Sequence, residues 1–95
     1  MGYEDKLLAS KVATLMDERA AAALHRSRTE TGEAAVASLD EAADNVTYSD
    51  TIEAVLQHAD VLASELDGDL RCEVEEIAQR LRNRRDRKLA QLAES

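Results

Sequence analysis

Ninety-five residues carrying twelve basic and twenty acidic side chains make one small acidic unit with a formal charge of −8. Hydrophobic residues are 44% of the chain and aromatics only 2%, with Phe, Trp and Pro absent. The apolar residues are too frequent and too regularly spaced for a disordered chain, and no apolar run approaches the roughly 18 residues of a membrane span.

The start, MGYEDKLL, lacks the basic and apolar regions of a signal peptide. Lys6 stands where a myristoylation motif following Gly2 wants Ser or Thr. Cys72 is the single cysteine, which excludes an intrachain disulfide and a cysteine-rich zinc site. These features lead us to expect a cytoplasmic protein with no membrane partner.

Seventeen Ala and twelve Leu dominate the apolar set, beside six Val, two Ile and two Met. Without Phe or Trp no side chain can fill a wide gap, so helices must approach closely over Ala-rich faces. A chain of this size buries only about 60–65% of its unfolded surface. Its core is therefore marginal, which favours self-association. No stretch alternates apolar and polar residues long enough to read as a strand.

The first helix is predicted from Glu4 to about His25, with Leu8, Val12, Leu15, Met16 and Ala23 on one face. Arg19 falls within that face, where a charge needs a partner, solvent or an interface. RSRTET, residues 26–31, breaks the pattern and reads as a connector. Thr31 can cap a second helix from Gly32 to Asn45, with Ala35, Val36, Leu39, Ala42, Ala43 and Val46 within an arc of about 120°. Asp50, with Glu53 three residues on, forms a capping-box pattern ahead of the stripe Ile52, Val55, Leu56, Ala59, Leu62, Ala63 and Leu66. Gly68 suits the left-handed position that ends a helix, and Asp69 can cap the next. That fourth helix, about Leu70 to Leu92, carries the stripe Leu70, Val74, Ile77 and Leu81, with Glu76 and Arg80 in the favoured i, i+4 order. Connectors this short imply an all-α, antiparallel bundle of three to four helices in a single domain.

After Leu81 the stripe fails. Arg84, Arg85 and Lys88 stand where apolar residues are due, and Arg80, Arg82 and Arg87 fill the other directions. Residues 80–95 carry six bases and two acids, against six bases and eighteen acids in residues 1–79. The expected consequence is a basic helix end that projects past the core. Arg80, Arg82, Arg84, Arg85, Arg87, Lys88, Leu89 and Leu92 then form the candidate contact surface, with Arg19 as a further interface arginine. A helix dipole accounts for one or two of those cations, not six. Three readings compete for the segment: a solvated helix end, docking on an acidic protein that includes another copy of the chain, and binding of the phosphates of a nucleic acid. The absence of aromatics for base stacking and the acidic flanking body favour protein.

Little else suggests chemistry. His25 and His58 lack metal-ligand spacing and read as boundary histidines, His58 making one hydrogen bond. Three glutamates surround Cys72, favouring a neutral, buried or inert thiol. No glycine-rich phosphate loop exists among three glycines. No metal, cofactor or catalytic residue is therefore expected. The sequence reads as a non-enzymatic, self-associating protein-interaction module, a small regulatory or assembly factor, with a nucleic-acid-associated regulator as the alternative. The acidic excess fits a high-salt habitat, or a face of Glu33, Asp40, Glu41 and Asp44 that imitates phosphates.

Overall fold

In the computed structural model, which describes the backbone of residues 2–94 and the side chains of residues 10–91, four helices follow one another. They are α1 (Gly2–Thr29), α2 (Gly32–Asn45), α3 (Ser49–Glu65) and α4 (Gly68–Glu94). Helix accounts for 91% of the chain and the described residues include no strand. The all-α reading from the sequence is correct.

Cross-chain hydrogen bonds fix the directions. Ser27 near the end of α1 meets Ala35 near the start of α2, so these two run antiparallel. Arg82 and Arg85 of α4 meet Asp60 and Glu53 of α3 in reversed order, so α3 and α4 are antiparallel too. Arg80 and Arg84 meet Asp40 and Val46 in the same order, making α2 and α4 parallel. The path is up-down-up-down. Helices α2 and α3 each pack against all three others, whereas α1 and α4 lie on opposite flanks and, among the described residues, do not pack on each other. The molecule is accordingly flat, measuring 51 × 28 × 17 Å.

The core forms as the Ala-rich composition demands. Ala20 and Ala23 of α1 and Ala35 and Ala42 of α2 are fully buried, which lets the two backbones come close. Leu39, Val55 and Val74 are the largest apolar side chains that are completely enclosed. The α2 bounds and its apolar arc agree with the sequence pattern, and Ile52, Val55, Leu56, Ala59 and Leu62 of α3 are buried. Two small polar residues join this core unpredicted. Ser27, 1% exposed, donates its hydroxyl to the Ala35 carbonyl at 2.7 Å, and Ser38 donates to Glu30 at 2.5 Å. Both spend their polarity on a neighbour, as burial requires.

Several boundaries differ from the sequence reading. α1 continues four residues beyond His25 to Thr29, because the helix must carry Ser27 into its contact with α2. Only Glu30 and Thr31 remain as connector. Gly68 has the expected positive φ of 64°, and Gly32 shares it at 58°. Each opens a helix at the same end of the bundle, and an L side chain would resist that conformation. α3 starts at Ser49 with Tyr48 in the capping position and no side-chain cap of its own, so the Asp50–Glu53 capping box does not form. The expected Glu76–Arg80 pair is also replaced. Arg71–Glu75 is the i, i+4 pair in α4, and Arg80 turns instead to Asp40 of α2.

Lengths show what the core leaves uncovered. At 1.5 Å per residue, α2 and α3 span about 21 and 26 Å, while α1 and α4 span about 42 and 40 Å. The start of α1 and the end of α4 lie at the same end, beside the Val46–Tyr48 connector between α2 and α3. Every buried residue described in α1 lies between Ala20 and Ser27. The first fifteen residues of that helix, Gly2 to Met16, run for about 22 Å ahead of that covered segment and of Asp17.

Candidate interaction surface

The connector Val46–Thr47–Tyr48 is held by charge from both flanks. From α1, Asp17 Oδ1 accepts the backbone N–H groups of Thr47 and Tyr48, both at 3.0 Å, and Oδ2 accepts the Thr51 hydroxyl at 2.7 Å. A carboxylate from another helix thus caps the N-terminus of α3, satisfying orphan donors and facing the positive end of its dipole. Burial alone would push the Asp17 carboxyl up. The bonds from Tyr48, Thr47 and Thr51 outweigh it and hold the pKa below its ordinary 3.8. From α4, Arg84 Nη2 donates to the Val46 carbonyl at 2.6 Å and Lys88 Nζ to the Thr47 carbonyl at 3.4 Å. These carbonyls sit just past the C-terminus of α2, where cations complement the dipole.

The other cations of α4 are also engaged within the chain. Arg80 pairs with Asp40 at 2.8 Å, Arg82 with Asp60 at 3.3 Å and Arg85 with Glu53 at 2.6 Å. Arg85 touches Asp86 as well, and Glu53 first, then Asp86, raises its already high pKa. Among the described residues Arg87 reaches only the Asn83 carbonyl of its own helix, at 3.4 Å.

The expected free projection of the basic segment is therefore corrected. Through Lys88, α4 lies along the bundle, and its arginines answer acids that α2 and α3 present 22 to 40 residues away in sequence. Exposed pairs of this kind contribute only about 0–1 kcal/mol each; their consequence is that the positive charge is largely matched. Leu89 is 57% exposed beyond them, and the side chain of Leu92 lies outside the described residues.

The helix that outruns its cover is α1. Val12, Leu15 and Met16 are 49%, 60% and 39% exposed, although the sequence places them on the inward face. The stripe is apolar along its length, but among the described residues of α1 only those from Ala20 to Ser27 include buried ones, while Thr14 and Asp17 meet the α2–α3 connector from another side of the helix. Arg19 is exposed on this same bare side, so it does not intrude on a core and needs no buried partner. The side chain of Leu8, which would extend the ridge, lies outside the described residues. Tyr48, 44% exposed, hydrogen-bonds Thr14 through its hydroxyl at 3.0 Å and borders the same region. Single exposed aliphatics are ordinary, but three within two turns form a patch.

The remaining candidates are scattered. His25 is exposed. His58 Nε2 is buried without a hydrogen-bond partner, unlike the boundary histidine expected to make one bond. Cys72 is exposed, not buried, because it points away from the stripe of Val74 and Ile77 in the first turns of α4. Asp40 and Glu41 are paired with Arg80 and Arg26, so two of the four carboxylates expected to imitate phosphates already carry a counter-cation. Among the described residues no three His, Cys, Asp or Glu side chains cluster as a metal site, and no helix is long and apolar enough to cross a membrane. No protein-family model, curated protein or solved structure matches this chain.

Proposed function

We propose that the chain is a non-enzymatic protein-interaction module that associates with itself through the first half of α1 and serves as a small regulatory or assembly factor. The observation that carries this reading is the ridge of Val12, Leu15 and Met16, large aliphatic side chains left bare on a helix that outruns its bundle. Covering apolar surface contributes about 25 cal/mol per Å². In a molecule whose own core is built from so many alanines, that gain is large beside the internal stability.

The nucleic-acid alternative requires cations on α4 that are free to meet phosphates. Most of them face carboxylates or carbonyls of the same chain, so a phosphate would have to displace an existing partner. Duplex DNA in low salt should accordingly be bound weakly or not at all. Binding that falls steeply with added salt and vanishes without residues 80–95 would favour the alternative.

The direct experiment is light scattering of the purified chain over micromolar concentrations. The expected mass is twice that of one chain, falling towards a single chain on dilution. A single-chain mass throughout that range would overturn self-association.

A further inference from the structure

We infer that Arg84, Arg87 and Lys88 form a site for a single phosphate group, free or carried by a small molecule. The site stands apart from the α1 ridge and does not depend on self-association.

Among the described residues none of the three makes an ion pair with a carboxylate, unlike Arg80, Arg82 and Arg85. Within that set Arg84 and Lys88 meet only backbone carbonyls of the connector, and Arg87 meets only a carbonyl of its own helix. All three side chains are exposed. At about 100° per residue, Arg87 and Lys88 flank Arg84 within an arc of about 100°, so the three cations share one side of α4.

There is space beside them. A recess of about 270 Å³ between α2 and α4 is lined in part by Ala43, Asp44, Leu81, Arg84 and Arg87. A second, of about 220 Å³, opens where α4 meets the connector, and Arg84, Arg85 and Lys88 line it with Val46 and Thr47. Arg84 belongs to both, so a group seated over it has Arg87 on one side and Lys88 on the other. Among the described residues Asp44 is the only carboxylate lining either recess, and it makes no ion pair. Asp44 and the roughly half charge at the C-terminal end of α2 oppose three full positive charges, which leaves an excess to hold an anion.

Such an anion can bind without breaking the bonds that fix the connector. Arg84 spends Nη2 and Lys88 one N–H on carbonyls, and the guanidinium and ammonium groups have further donors for a ligand. A phosphate brings three acceptor oxygens and a charge of about −1.5 to −2, which suits three converging cations better than one carboxylate does. A polyanion fits worse. Farther along the same α2–α4 groove, a recess of about 450 Å³ is lined by Glu33, Asp40, Glu73 and Glu76, so a chain of phosphates continuing that way meets repulsion.

NMR titration of the nitrogen-15-labelled chain with inorganic phosphate, and separately with glycerol 3-phosphate, at constant ionic strength tests the site. Saturable shifts should centre on Arg84 and the connector. Arg87→Gln, an exposed change that leaves the core intact, should weaken binding about tenfold, as expected for the loss of a hydrogen bond between charged groups. Asp44→Asn should tighten it about threefold by removing the competing carboxylate. Arg82→Gln removes the same charge from the side of α4 that meets Asp60 of α3, and should change affinity less than about twofold. Tighter binding of glycerol 3-phosphate than of phosphate would mark the ligand as a phosphomonoester, and equal or weaker binding as the free ion.

Shifts that never saturate, equal losses in Arg82→Gln and Arg87→Gln, or an Asp44→Asn variant that binds no more tightly than the parent would overturn the site.

Discussion

Leu39→Ala is expected to remove about 3 kcal/mol of folding stability, the largest effect of any single truncation considered. Leu39 is fully enclosed on α2, one of the two central helices, and belongs to the cluster drawn from all four. Its neighbours include Ala35, Ala42 and Ala43, residues too short to lean into the space a leucine vacates. Most of the cavity should therefore persist, and the cost should include both the lost transfer energy and the void. For a domain near 100 residues this is a fall in Tm of roughly 12–24 °C. Urea unfolding should show a lower midpoint with an unchanged slope. Leu15→Ala, at 60% exposure, should change folding by less than about 0.5 kcal/mol at dilutions where the chain is single. Equal losses at the two sites would mean that the ridge of α1 is covered within the monomer.

Asp17→Ala is expected to cost about 2 kcal/mol, at the upper end for a lost helix cap. Two backbone donors of the connector and the Thr51 hydroxyl lose their acceptor together, and α1 loses its polar attachment to α3. The pH dependence carries a sign that a purely apolar contact would lack. The folded carboxyl titrates below its ordinary 3.8. Its contribution is complete above the unfolded value, near pH 4, and is withdrawn as the pH falls through the lower folded value. Stability of parent and variant should differ by a constant amount between about pH 5 and 7 and converge below about pH 4. Urea melts across that range provide the check. A difference unchanged down to pH 2 would show that Asp17 acts through packing, not as a charged cap.

How much is legible in the sequence depends on the range of the interactions concerned. The bounds of α2 follow from local chemistry, since Gly32 and the apolar arc from Ala35 to Val46 point the same way; Thr31 occupies the capping position, but the side-chain cap expected of it does not form. The α3 stripe is equally plain in the order of its residues. Its cap is not, because the capping carboxylate comes from Asp17, 30 to 34 residues earlier. The capping box read at Asp50 and Glu53 is a local pattern that this long-range contact supersedes.

The basic stretch of α4 misleads for a related reason. Six cations without an apolar face look unpartnered in one dimension. In space Asp40, Glu53 and Asp60 stand opposite three of them, and two backbone carbonyls receive two more. Periodicity is also silent about coverage. It finds the apolar stripe of α1 from Val12 to Ala23, yet nothing in a 3.6-residue repeat says where neighbouring helices stop. That limit is set by the lengths of α2 and α3, which leave Val12, Leu15 and Met16 beyond them. Arg19 lies between Asp17, which is bonded to the connector and to Thr51, and the buried Ala20, so its exposure follows from the side of α1 it occupies and not from where α2 and α3 stop.

The molecule is thus a flat bundle whose two long outer helices do different work. α4 closes one flank by matching its charge to α2 and α3. α1 fixes the connector through Asp17 and carries its apolar ridge outward. The mass of two variants, compared by light scattering under the same conditions, separates these roles most directly. Leu15→Asp with Met16→Asp places charge on the ridge; Arg84→Gln with Arg87→Gln removes charge from α4. With both confirmed helical by circular dichroism, the first should be a single chain and the second should keep twice that mass. A dimer that survives the aspartates and is lost with the arginines would contradict the assignment of the outward surface to α1.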